Sequence, residues 1–252
     1  MSKKIALVTG ATAGFGLAIC QTLIRAGYQV IGTGRRAERL AQLQAEFGHA
    51  FLPLAFDICD PNATQKALAE RPEAWRPVDL LVNNAGLALG LESADKTDLK
   101  DWFTMIDTNI KGLVTVTHAI LPEMVAANRG HIINIGSIAG TYPYPGGNVY
   151  GGTKAFVKQF SLNLRADLAG KNIRVTNVEP GLCGGTEFSN VRFKGDDERA
   201  AKVYENVRFV TPEDIANIVL WLNQQPEHVN INRIEVMPTA QTFSAATVTR
   251  GV

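Results

Sequence analysis

The chain reads as one α/β domain: a doubly wound parallel sheet of about seven strands with helices on both faces. Two observations predict this. Short runs that are apolar at successive rather than alternate positions recur between longer amphipathic stretches, as strands buried on both faces of a parallel sheet require. No linker-like, repetitive or low-complexity segment divides the 252 residues, so 1–252 is expected to be a single unit.

The elements follow in order. Strands are expected at Ile5–Val8, Gln29–Gly32, Ala50–Phe56, Leu80–Val82, His131–Ile135, Arg174–Val178 and Arg233–Val236. Helices are expected at 14–26, 36–47, 61–70, 98–126, 149–169, 196–207 and 212–224. Thr211-Pro212-Glu213-Asp214 is a start signal, with an N-cap residue, proline at the first helical position and acids in the first turn. Pro122 lacks an N–H and is expected to bend or fray the end of the 98–126 helix. Segment 183–210 is polar, charged and interrupted by Gly184-Gly185, as suits an excursion above the sheet where a substrate lid would sit. The tail 238–252 contains no clear element.

Composition narrows the function classes. Hydrophobic residues make up 46% and charged residues 19%, the balance of a soluble chain with a sizeable core. Net charge is +1, so no strong field draws it to nucleic acid or an anionic membrane. Ile5–Val8 is too short for a signal-peptide core, and no segment reaches the ~18 apolar residues needed to span a bilayer. Cys20, Cys59 and Cys183 are odd in number and far apart, which favours a reduced, cytoplasmic setting over a disulfide framework. No His/Cys/Asp/Glu cluster suggests a metal site. His118 and His131 read as packed or surface residues, and the Trp102 and Trp221 stretches as core or interface.

Two motifs carry chemistry. The first strand runs into Thr9-Gly10-Ala11-Thr12-Ala13-Gly14-Phe15-Gly16. Glycines there allow a tight turn, close approach to a pyrophosphate and a helix N-terminus aimed at the anion. Their spacing, Gly-x3-Gly-x-Gly, departs from the usual dinucleotide fingerprint. The second strand ends at Gly32-Thr33-Gly34-Arg35-Arg36, where an acid would bind the ribose hydroxyl of NAD. Two arginines instead favour the 2′-phosphate of NADP, the alternative being solvated residues ahead of a helix. Asp57, after the third strand, either accepts the adenine amino group or caps the helix that begins at Pro61.

Tyr150 and Lys154 are the second motif, four residues apart. On a helix this puts their Cβ atoms about 5–6 Å apart on one face. An ammonium there is expected to pull the phenol below its ordinary value near roughly 10, making it a usable acid/base. Alone, the pair reads more often as a helix face with a solvated lysine, so the acid/base reading needs further residues.

Further residues extend the pattern: Asn83-Asn84-Ala85-Gly86 after the fourth strand, Asn109 in the long helix, Ser137 after the fifth strand, and Pro180-Gly181 after the sixth. With the glycine loop and the Tyr/Lys pair, they make the chain closely resemble the single-domain, Rossmann-like short-chain dehydrogenase/reductase family over nearly its whole length. The resemblance implies that Tyr150 is the acid/base, that Lys154 lowers its pKa and binds the nicotinamide ribose, and that Ser137 holds the substrate oxygen. It implies that Asn109 anchors a water chain from Lys154 to solvent. Cofactor contacts are expected from Gly10, Thr12, Gly14, Phe15, Gly16, Arg35, Arg36, Asp57, Ile58, Asn83, Ala85, Gly86, Tyr150, Lys154, Pro180, Gly181 and Thr186. The cofactor is expected to be NADP, without a metal.

The substrate region, Asn84–Gly90, Gly146–Tyr150 and Gly185–Asp196, resembles the NADP-dependent 3-hydroxy acid dehydrogenases within that family. That group oxidises serine, L-allo-threonine and 3-hydroxyisobutyrate and interconverts 3-hydroxypropionate and malonic semialdehyde. Substrate contacts are expected from Ser137, Tyr150, Asn148 and Arg192, with Arg192 or Lys194 either binding a carboxylate or standing as a solvated charge. The other readings are a 3-oxoacyl thioester or broad carbonyl reductase, and a regulator that senses NADP without turnover. The family implies a homodimer or homotetramer packed through the helices near 98–126 and 149–169; separately, the tail 238–252 is read as covering a neighbouring subunit or its active site. No nucleic-acid or membrane partner is expected.

Overall fold

The computed structural model describes residues 4–242. Residues 1–3 and most of the tail 238–252 lie outside that range. Seven parallel strands form one sheet: β1 Ile5–Thr9, β2 Gln29–Gly34, β3 Phe51–Ala55, β4 Leu80–Asn83, β5 Gly130–Ile135, β6 Ile173–Pro180 and β7 Arg233–Val236. Their order is β3-β2-β1-β4-β5-β6-β7. Chain direction across the sheet reverses between β1 and β4, and a doubly wound sheet opens its crevice at such a switch point.

The helices are α1 Gly14–Arg25, α2 Ala37–Phe47, α3 Pro61–Ala69, α4 Leu99–Ile106, α5 Leu113–Ala126, α6 Asn148–Asp167, α7 Phe188–Arg192, α8 Asp197–Lys202 and α9 Pro212–Gln224. On one face of the sheet, Ile19 and Leu23 of α1, Leu40 of α2 and Val219 of α9 pack on Ala6, Val8 and Val30. On the other, Leu68 of α3, Val116, Ile120 and Met124 of α5, and Leu164 of α6 pack on Leu7, Ile31 and Leu81. This two-sided burial is why the strand sequences show no alternation. The Thr211 signal is realised in full, as a reciprocal capping box with Asp214 and Pro212 at the start of α9. No helix among the described residues is long and apolar enough to cross a membrane.

Two expectations are revised. The 98–126 helix breaks at a π-helical turn, Asp107–Gly112, rather than at Pro122, which lies within α5. A π turn adds a residue to the helical repeat without ending the helix, so a proline is not needed for the change. The 196–207 helix shortens to α8, and the residues before it form the five-residue α7. Segment 183–210 leaves and rejoins the body at a bridge between Cys183 and Val210, with Gly184 N–H donating to the Val210 carbonyl at 3.1 Å.

Candidate active site

The carboxyl ends of the strands and segment 183–210 enclose a cleft of about 630 Å³. At one end lie Gly10, Thr12, Ala13, Gly14 and Phe15. Gly10 and Gly14 have φ of 69° and 51°, left-handed values that glycine adopts without strain. The α1 N-cap, Ala13, makes no side-chain cap bond, and the first turn holds no acid. The first N–H groups of α1 are thus left for an anion, which fits the pyrophosphate of a dinucleotide. Gly16 does not line the cleft. A Cβ there would overlap the Gly10 carbonyl, so a glycine is needed for the close packing of helix on turn.

At the corner beyond, Arg35, Arg36, Asp57 and Ile58 line the cleft. Arg36 donates from Nε and Nη2 to Thr12 Oγ1 at 3.0 and 2.8 Å. Arg35 is exposed, with Asp57 at 4.0 Å. Asp57 does not cap α3: Asp60 does, accepting from the Asn62 and Ala63 amides. Asp57 accepts from Cys59 N at 2.9 Å and stays beside the cleft.

The far end gathers Ser137, Tyr150, Lys154, Pro180, Gly181, Thr186 and Arg192, with Ala85 and Gly86 between the two ends. Ser137 N-caps a short 3-10 turn, accepting from Ala139 N at 3.1 Å. Tyr150 and Lys154 sit on the buried face of α6. Burial pushes the phenol up to about 12, against a downward pull from the Ser137 hydroxyl and the Arg192 charge. Burial pulls the Lys154 ammonium down to about 8. Lys154 Nζ donates to the Ile135 carbonyl at 2.8 Å and stands 5.9 Å from the Tyr150 ring centroid. The expected lowering of the tyrosine by its lysine is therefore reversed here, because loss of solvent outweighs a charge turned toward another oxygen.

Arg192, at the end of α7, donates from Nε to Gly90 O at 3.1 Å and from Nη2 to the Tyr144 hydroxyl at 2.8 Å. Its Cζ lies 5.7 Å from the Tyr150 ring centroid. Phe188 packs against the same ring at 5.9 Å. Lys194, the other cation considered, pairs with Asp101 at 2.8 Å and does not line the cleft.

The side chains of three other expected residues bond to protein partners. Asn83 is buried in the sheet, donating to Thr117 Oγ1 and Asn134 Oδ1 at 2.9 and 2.8 Å, so it does not reach the cleft. Its neighbour Asn84 does, tying the loop to Thr9 O at 2.8 Å. Asn109 donates both amide protons, to Leu87 O and Thr153 Oγ1, and accepts from Leu87 N. The side chain thereby braces the β4 loop against α6. Asn148 faces the Glu92 carbonyl at 3.4 Å and accepts from Val149 N, outside the cleft lining. Sequence reasoning missed Tyr144 in the cleft lining, and it placed Asn84, Glu187 and Phe188 in the substrate region without giving them individual roles. Tyr144 carries no periodic or motif signal. Among the described residues, no three His, Cys, Asp or Glu are placed to hold a metal ion, and all three cysteines are free.

The short chain dehydrogenase family model matches residues 4–197. A protein of Haemophilus influenzae named as a probable NADP-dependent dehydrogenase is 75% identical, over 99% of each chain. An NADP-dependent 3-hydroxy acid dehydrogenase of Salmonella typhi is 59% identical, over 98% of this chain and 99% of its own. A solved structure, the closed form of serine dehydrogenase complexed with NADP+, is 57% identical with a TM-score of 0.97, covering 98% of this chain and all of its own.

Proposed function

The chain belongs to the short-chain dehydrogenase family, and from that membership we propose that it is an NADP-dependent dehydrogenase of small 3-hydroxy acids. Candidate substrates are serine, L-allo-threonine, 3-hydroxyisobutyrate and 3-hydroxypropionate, the last paired with malonic semialdehyde. One observation carries the acid specificity: a guanidinium, Arg192, stands 5.7 Å from the ring of the acid/base tyrosine. Its Nε and Nη2 are held by protein oxygens, and Nη1 has no partner among the described residues. A small acid seated there would place its carboxylate on Arg192 and its hydroxyl at Tyr150.

The bound nicotinamide supplies hydride acceptance and donation. The residues present fit it: Gly10, Thr12, Gly14 and Phe15 would hold the pyrophosphate at the uncapped end of α1, and Arg35 and Arg36 the 2′-phosphate. Asp57 and Ile58 would flank the adenine, and Ala85, Gly86, Pro180, Gly181 and Thr186 the nicotinamide half. Lys154 would hold the nicotinamide ribose. Ser137 would fix the substrate oxygen beside the phenol. Tyr150 would give its proton to that oxygen as a carbonyl is reduced, and take it back as an alcohol is oxidised. A phenol raised by burial is protonated at neutral pH, which suits donation; oxidation gains as pH rises.

Turnover of a hydroxy acid and of its methyl ester tests the reading. The acid should be preferred, and Arg192→Ala should raise its Michaelis constant while leaving the ester's alone. Equal rates on acid and ester would favour a thioester or broad carbonyl reductase; no turnover of any alcohol or carbonyl would favour a cofactor-sensing regulator. Leu99, Phe103 and Phe156, exposed on α4 and α6, support self-association as a dimer or tetramer. Free cysteines fit a cytoplasmic setting.

A further inference from the structure

Segment 183–210 enters the cleft through α7, a helix of only five residues. So short a helix has too few internal bonds to hold itself, so its place must be set by its anchors. The Ser189–Tyr204 bond, at 2.6 Å, lies inside the segment and ties it to nothing else. The outward ties run to three places. Lys194 and Arg199 reach Asp101 and Glu92 at 2.8 and 3.8 Å, on the substrate side. Arg192 exchanges backbone and side-chain bonds with Gly90 and bonds Tyr144. On the cofactor side, Glu187, the N-cap of α7, takes Arg36 Nη1 on one oxygen and Arg39 Nη1 on the other, each at 2.8 Å. Arg36 is itself bonded to Thr12 of the glycine loop. Arg39, then Arg36, hold the Glu187 carboxyl below the usual carboxylate range.

We infer that Glu187 is a positioning residue: by gripping Arg36 and Arg39 it fixes α7, and α7 in turn sets Phe188 and Arg192 against Tyr150. The cofactor's 2′-phosphate corner and the substrate carboxylate site are thereby joined through one short element. Because such coupling is reciprocal, whatever steadies Arg36 also steadies Arg192. The inference rests on the substrate role given to Arg192 above and adds the residue that serves it from the opposite end of α7.

The test uses Glu187→Gln, Arg39→Gln and the double variant. Hydrogen exchange is followed first, on protein without cofactor or substrate. Two exposed ion pairs on one carboxylate imply that amides of 188–193 exchange about three- to tenfold faster in Glu187→Gln, with sheet amides unchanged. Arg39→Gln should add little once Glu187 is gone, since the two act as a unit. With NADP+ saturating, the Michaelis constant for serine should rise about three- to tenfold, with kcat within about twofold of the parent. Unchanged exchange in Glu187→Gln, additive effects of the two substitutions, or a fall in kcat at constant Michaelis constant would each overturn the inference. The exchange measurement needs no substrate, so it decides the anchoring even where the hydroxy-acid reading fails its own test.

Discussion

Replacing Lys154 by methionine should make the protein more stable at neutral pH, although the lysine lines the candidate active site. Burial brings the ammonium from 10.5 down to about 8. The folded state thus resists the charge by about 2.5 pH units, or about 3 kcal/mol at roughly 1.4 kcal/mol per unit. Methionine removes that penalty but leaves the Ile135 carbonyl without its donor, a loss of about 1 kcal/mol. The net gain at pH 7 is about 2 kcal/mol, or a rise in Tm of about 4–8 °C for a chain of this size. The sign follows from a folded-state pKa that is depressed. Unfolded chain binds more protons than folded chain between about 8 and 10.5, so wild-type stability climbs through that window and falls away as pH drops to 8. The advantage of Lys154→Met should therefore be full at pH 7, shrink above 8 and vanish or reverse near 10.5. Thermal unfolding of both proteins, without cofactor and at matched concentration, measures it from pH 7 to 10.5. A methionine variant no more stable than its parent at pH 7, or a difference that ignores pH, would refute the reasoning.

Tyr150→Phe keeps the buried ring but removes the transferable proton; turnover should drop by about 10²–10⁴ while the cofactor dissociation constant, read by fluorescence titration, stays put. Arg36→Gln removes charge-assisted donors from the corner beside Thr12, so the preference in kcat/KM for NADPH over NADH should fall by about tenfold or more; an unaltered ratio would remove Arg36 from the 2′-phosphate site. Gly16→Ala forces a methyl into the Gly10 carbonyl and should cost about 1–3 kcal/mol in chemical denaturation together with cofactor affinity; a variant of parental stability would show that the turn can yield.

What the sequence disclosed was mostly local. The glycine loop, the Tyr150–Lys154 spacing and the capping box at Thr211 lie within a few residues of chain, and each is where the pattern put it. What it withheld depended on distant contacts. Asn83 and Asn84 are consecutive, and only the ladder to Asn134 on β5 decides which of them turns into the sheet. The Arg36–Thr12–Glu187 cluster joins residues 24 and 151 positions apart. The pKa of Tyr150 escaped local reasoning for the same cause, since Phe188 and Arg192 reach it from a separate excursion. Spacing supplies the neighbour that favours ionisation; only the folded chain supplies the loss of water that opposes it.

The π-helical turn at Asp107–Gly112 changes how the long helix can be edited. It behaves as a one-residue insertion, so the stripe that buries Met105 ahead of it and the stripe that buries Val116, Ile120 and Met124 after it are out of phase. One rod thereby serves two client surfaces: the loop held by Asn109, and the sheet. Deleting a single residue from the turn would restore an ordinary repeat with α5 still in its present orientation to α4, whereas inserting one more would widen the turn further or rotate α5 by about 100°, carrying Ile120 off the sheet or Asn109 off Leu87. This stretch should thus tolerate the loss of one residue better than the gain of one, and an insertion here would be costlier than most substitutions.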